Sequence, residues 1–89
     1  MQLKIPMYFQ PFTGWNDEVE VKGNSIGMVM EDLFHQFPEL RTHFFTHWGI
    51  LSANVLIYLN QEEIFSLQGF ETPVNAGDHI RIVPTASGG

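Results

Sequence analysis

The sequence predicts an α+β fold: a mixed sheet of four to five strands, one main helix on one face, and a flexible Gly-Gly tail. Three observations predict it. Apolar residues alternate with other residues at both ends of the chain, at Leu3, Ile5, Met7 and Phe9 and again at Ile80 and Ile82, and a period of two marks a strand with one buried face. Between these ends Ile26, Val29, Met30, Leu33, Phe34 and Phe37 recur at helical spacing, which lines one side of a single helix with apolar side chains. The last five residues, Thr85-Ala86-Ser87-Gly88-Gly89, are all small, so they are expected to project beyond the packed domain.

Each element follows in order. Leu3 to Phe9 reads as a strand, with a bulge or an unpaired position at Pro6, which has no N–H for a ladder. Thr13, Gly14 and Asn16 signal a loop. Val19 and Val21, alternating with Glu18, Glu20 and Lys22, complete a hairpin. Ser25 is the expected N-cap of the helix, and Pro38 either stops it or restarts a new turn. Residues 39–52 are expected to form a short helical turn and then a loop. Val55, Ile57 and Leu59 alternate with Asn54, Leu56 and Tyr58 as a third strand. Glu63 to Phe65 is a very short fourth strand, 68–75 is irregular, and His79 to Val83 is the last strand, closed by Pro84. Residues 1–84 are thus expected to form one domain and 85–89 its tail.

Composition bounds the function. The chain has 89 residues, 44% of them apolar and 16% charged, which suits one packed domain and not a disordered chain. With no cysteine, it has no disulfide framework, zinc ribbon or thiol nucleophile, and the eight Phe and two Trp must supply much of the burial. The net charge is −6, and the four basic residues, Lys4, Lys22, Arg41 and Arg81, do not cluster in the sequence. Nucleic-acid binding needs a basic face and is disfavoured. No apolar run approaches the roughly 20 residues that cross a bilayer, and Met1 is followed by a strand pattern rather than a signal peptide. A cytoplasmic protein without membrane partners is expected.

Side-chain chemistry is sparse. His43 and His47 are four apart, but two ligands are too few for a structural metal site, so none is expected. Glu62-Glu63 reads as a solvated turn, and no nucleophile–base set or Gly-rich phosphate loop is present. The tail is the informative feature. Gly88 and Gly89 have no Cβ and can thread a channel too narrow for other residues. A C-terminal glycine carboxylate can be activated with no stereocentre to epimerise and no side chain to hinder a nucleophile.

The order of elements with a Gly-Gly end resembles the ubiquitin-like β-grasp superfamily, and within it the sulfur carriers of the MoaD/ThiS kind. Residues 77–89, Gly-Asp-His-Ile-Arg-Ile-Val-Pro-Thr-Ala-Ser-Gly-Gly, are similar to the family's C-terminal segment. Residues 5–14, Ile-Pro-Met-Tyr-Phe-Gln-Pro-Phe-Thr-Gly, with Tyr58-Leu59-Asn60 and 67–73, resemble the CysO branch, the cysteine-biosynthesis sulfur carriers. Gln10 and Phe65 stand where that branch commonly has basic residues, and Phe44-Phe45 and Trp48 replace a charged loop.

The resemblance implies a co-substrate protein and not an enzyme. An E1-like partner would use ATP to adenylate the Gly89 carboxylate, and sulfur would displace AMP to leave a thiocarboxylate. The carrier itself would bind no cofactor. Its acceptor would be a synthase, cysteine assembly by a pyridoxal-phosphate enzyme being the first expectation, with a metalloprotease to release the product. A molybdopterin-synthase small subunit, a thiamin sulfur donor, or a ubiquitin-like modifier joined through Gly89 are the alternatives. Gly88 and Gly89 would be the reacting end. In a β-grasp the first and last strands are parallel neighbours, so Tyr8 and Val83 are expected to adjoin on the open side of the sheet, extended by Leu56, Tyr58 and Phe65. With Pro84, Thr85, Ala86 and Ser87 they form the expected partner-binding surface.

Overall fold

The computed structural model describes residues 1–45, 51–52 and 54–85. In it, Pro6 decides where the first strand ends. Strand β1, Gln2–Lys4, pairs antiparallel with β2, Glu18–Glu20, in the register Gln2↔Glu20, Leu3↔Val19 and Lys4↔Glu18. The Ile5 N–H still donates to the Asp17 carbonyl at 2.8 Å, but Pro6 has no donor with which to continue. The chain turns instead, and Met7–Phe12 wind into 3-10 helix. This corrects the expected strand through Phe9. Phe9 reaches the core from the turn, whereas Met7 is 78% exposed.

The helical layer follows its apolar pattern. Helix α1, Ile26–Gln36, starts at Ser25, whose hydroxyl accepts the Met28 N–H at 3.2 Å. Ile26, Val29, Met30, Leu33 and Phe34 are buried. After Pro38 a second, short helix α2, Glu39–Phe44, buries Leu40 and Phe44, as the expected helical turn in this region requires. The Phe44 ring lies 4.9 Å from Phe9 and 5.3 Å from Phe34, so this helix closes the core between α1 and the first loop.

The remaining strands are β3 (Val55–Leu59), β4 (Glu62–Glu63) and β5 (Ile80–Pro84). The sheet order is β2-β1-β5-β3-β4. Its central pair, β1 and β5, is parallel with Lys4 beside Arg81, and β3 runs antiparallel to β5. Leu3, Val19, Val55, Ile57, Leu59, Ile80 and Ile82 are buried on the face that meets the helices. Two boundaries differ from expectation. The fourth strand stops at Glu63, because the chain bends into a 3-10 turn over Ile64–Ser66 that carries Ile64 into the core. The last strand starts one residue later than His79, whose N–H donates to the Asn60 side-chain oxygen at 3.0 Å.

Candidate functional site

Strand parity builds the site. With Val55, Ile57, Leu59, Ile80 and Ile82 turned to the core, Leu56, Tyr58, Arg81 and Val83 lie on the other face, away from the helices. The antiparallel register sets Leu56 directly opposite Val83 and Tyr58 opposite Arg81. The Arg81 guanidinium carbon sits 5.2 Å from the Tyr58 ring centroid, within cation–π range. Leu56, Tyr58, Val83 and Pro84 are partly buried. The expected placement of Leu56, Tyr58 and Val83 on one open face is what the structure has.

Tyr8 and Phe65 are placed otherwise. Tyr8 does not sit on a strand beside Val83: it is in the 3-10 turn after Pro6, 68% exposed, with its ring 5.0 Å from Phe9. It still lies at the tail end of the sheet, because β1 and β5 are parallel and the chain leaves both at that end. Phe65 is not on the fourth strand. It stands 5.8 Å from Phe70, which meets Phe45, which in turn meets Phe34 of α1. That chain of rings ties Phe65 to the helical side of the sheet and removes it from the Leu56–Val83 face.

The root of the tail is held by the sheet. The Thr85 N–H donates to the Asn54 carbonyl at 2.8 Å, and Thr85 is partly buried. Thr85 thus adds one backbone hydrogen bond just past β5, which ends at Pro84. Ala86, Ser87, Gly88 and Gly89 lie outside the described residues, as do His47 and Trp48. At the opposite end of β5, Asp78 accepts the Asn75 N–H at 2.7 Å and the Asn60 amide at 3.3 Å. These bonds, the Asn75 one foremost, favour the carboxylate and hold its pKa below the ordinary value. His43 stacks on Phe12 with centroids 3.9 Å apart, and among the described residues no three His, Cys, Asp or Glu side chains converge on a metal site.

Sequence reasoning missed the cations. Lys4 and Arg81 are 77 positions apart in the chain, yet the parallel central pair makes them direct neighbours. The signal was available: both follow the parity of the open face, and the first and last strands were expected to be adjacent. Among the described residues neither forms an ion pair, whereas Arg41 is paired with Glu31 at 2.9 Å.

A five-stranded mixed sheet with a parallel central pair, packed on one main helix, with the chain running on past the central strand, defines a ubiquitin-like β-grasp protein. The chain belongs to the ThiS family, whose profile matches residues 3–89. It is 29% identical over 89 residues to the sulfur carrier protein CysO of Mycobacterium tuberculosis, covering 98% of this chain and 96% of that one. It is 36% identical over 73 residues to ubiquitin-related modifier 1 of Encephalitozoon cuniculi, covering 79% of this chain and 76% of that protein. Among solved structures, the Amycolatopsis orientalis BexX/CysO complex superposes with a TM-score of 0.87 at 25% identity, over 99% of this chain and 98% of that one. Mycobacterium tuberculosis CysO superposes with a TM-score of 0.85 at 28% identity, over 94% of this chain and 97% of that one.

Proposed function

We propose that this protein is a sulfur carrier of the CysO type, a co-substrate that reacts through the Gly89 carboxylate. The observation that carries the reading is the path of β5. The central strand of the sheet runs directly into the tail, and the face beside its exit presents the Leu56–Val83 pair. A partner can thus grip the sheet and receive the tail at once. The similarity to CysO supports the same reading.

The chemistry requires activation, because a carboxylate resists nucleophiles until one oxygen becomes part of a good leaving group. An E1-like enzyme supplies it: the Gly89 carboxylate attacks the α-phosphorus of ATP, pyrophosphate leaves, and an acyl-adenylate forms. A sulfide nucleophile then attacks the acyl carbon and AMP departs, which leaves a thiocarboxylate. If the sulfur comes from a persulfide, a thiol must afterwards reduce the acyl disulfide. This chain contributes positioning: a backbone hydrogen bond to Asn54 holds Thr85, and the four residues beyond it reach at most about 14 Å. Gly88 and Gly89 fit the narrow approach to the nucleotide. The acceptor is proposed to be a synthase that assembles cysteine on pyridoxal phosphate, in a cytoplasmic setting, with a metalloprotease to free the product.

A second reading has its own support in the similarity to ubiquitin-related modifier 1. In that reading the activated Gly89 passes to a lysine amine of another protein. Both share the first step, so pyrophosphate exchange with ATP and the organism's E1-like enzyme is the test. Exchange should depend on this protein and vanish when one residue is appended after Gly89. An extended variant shown by mass to be uncleaved, yet exchanging at the normal rate, contradicts activation at Gly89.

A further inference from the structure

Across the open face one row of residues crosses every strand of the sheet. It runs Glu18 on β2, Lys4 on β1, Arg81 on β5, Tyr58 on β3 and Glu63 on β4. Its centre is cationic in a chain of net charge −6. Two of the four basic residues meet there, and neither is paired with Glu18 or Glu63, nor with any other described acid. Arg81 is exposed and rests on the face of Tyr58, with its guanidinium edge free to donate. Immediately tailward lies the apolar Leu56–Val83 pair, and beyond it the root of the tail.

Unpaired cations beside an apolar contact call for an acid on whatever covers them, because burial of Arg81 without a counter-charge would carry a desolvation cost. We infer that the tail-activating partner carries a carboxylate side chain opposite Lys4 and Arg81, next to the apolar contact that takes Leu56 and Val83. This rests on the sulfur-carrier reading and goes beyond it, since it names the chemistry of the docking surface. It also sets a ruler. Arg81 and Gly89 are eight residues apart, so their Cα atoms span at most about 26–29 Å, and the partner's acidic contact lies within that reach, plus the length of the Arg81 side chain, of the position where it binds the α-phosphate. The carboxylate is local: the rest of the partner's surface faces an acidic domain and is free to be basic.

The test is ATP–pyrophosphate exchange with the organism's E1-like enzyme, read as KM for the carrier and kcat. The variants are Arg81→Glu, Lys4→Glu, Arg81→Lys and Lys22→Glu, each checked by thermal melt. Lys22→Glu is the control: it changes net charge as much as Arg81→Glu but lies past the end of β2, at the opposite end of the sheet from the tail. Arg81→Glu and Lys4→Glu should each raise KM at least ten-fold with kcat held within two-fold. Arg81→Lys should stay within about three-fold of wild type, and Lys22→Glu should leave KM near wild type. Equal effects of Arg81→Glu and Lys22→Glu would reduce the matter to net charge and overturn the inference. So would an unchanged or lowered KM for Arg81→Glu, or a loss only of kcat. If the wild-type protein supports no exchange at all, it is the sulfur-carrier reading that fails. If wild type exchanges and Arg81→Glu loses only a later transfer to the acceptor synthase, the carboxylate sits on that second partner and the inference as stated is wrong.

Discussion

Ile82 and Val83 are adjacent on one strand and face opposite ways, so truncating each to alanine measures the two faces of the sheet separately. Ile82 is 4% exposed and sits opposite Ile57, which is fully buried. Ile82→Ala removes three buried carbons, about 2.4 kcal/mol at ~0.8 kcal/mol each. The cavity left behind brings the cost to about 3–4 kcal/mol. Val83→Ala removes two carbons from a partly buried position on a face open to water, with no enclosed cavity, so the cost is about 1 kcal/mol. For a domain of this size each kcal/mol lowers Tm by about 4–8 °C. Thermal melts should therefore show a fall of about 12–32 °C for Ile82→Ala and about 4–8 °C for Val83→Ala. Affinity for the activating enzyme should reverse the order among folded variants. Val83→Asp, which places a charge against the apolar contact, should weaken binding by about 2 kcal/mol or more, roughly 30-fold. If Val83→Ala is as damaging to Tm as Ile82→Ala, the register at the end of β5 is shifted by one and the docking surface must be redrawn.

Three further outcomes follow from particular contacts. Gly88→Val should leave Tm unchanged within about 1 °C, since it lies four residues past Pro84, where β5 ends, while pyrophosphate exchange falls sharply; a large loss of Tm would mean that the tail is packed. Gly23→Ala should destabilise by roughly 1–3 kcal/mol in a denaturant melt, because its Cβ would lie 2.7 Å from the Val29 nitrogen and 2.9 Å from Met28 atoms at φ +153°. Gly77→Ala, with nothing within 4 Å at φ +91°, should suffer only backbone strain and serves as the comparison. Asp78 has a depressed pKa in the folded state. Its stabilising contribution is complete above the ordinary carboxylate range and is lost as pH falls through the folded value. Asp78→Asn should flatten that part of the acid-side loss in melts across pH, and an unchanged acid profile would contradict the role of its bonds to Asn75 and Asn60.

What was legible in the sequence was whatever a period of two or 3.6 records. The stripe from Ile26 to Phe34 and its Ser25 cap became α1, and the Ile80–Ile82 alternation fixed which face of β5 meets the core. Leu56, Tyr58 and Val83 were placed on the open face for the same reason. Alternation misled at Met7 and Phe9, where a 3-10 turn after Pro6 keeps one of two alternating residues inside by a different geometry. It misled again at Phe65, where burial of Ile64 bends the chain off the sheet and hands Phe65 to Phe70. The adjacency of Lys4 and Arg81 is a property of topology: residues 77 apart meet only because β1 and β5 pair in parallel, and a scan along the sequence for charge clusters does not find that.

The central claim is that Gly89 carries sulfur, and intact mass of the protein purified from its native host tests it most directly. The account predicts a population heavier by about 16 Da, one sulfur in place of one oxygen, confined to the C-terminal peptide and lost when Gly89 is deleted or followed by another residue. Protein found only at its encoded mass in cells that express the activating enzyme, or found joined through Gly89 to lysines of other proteins with no thiocarboxylate present, would contradict it.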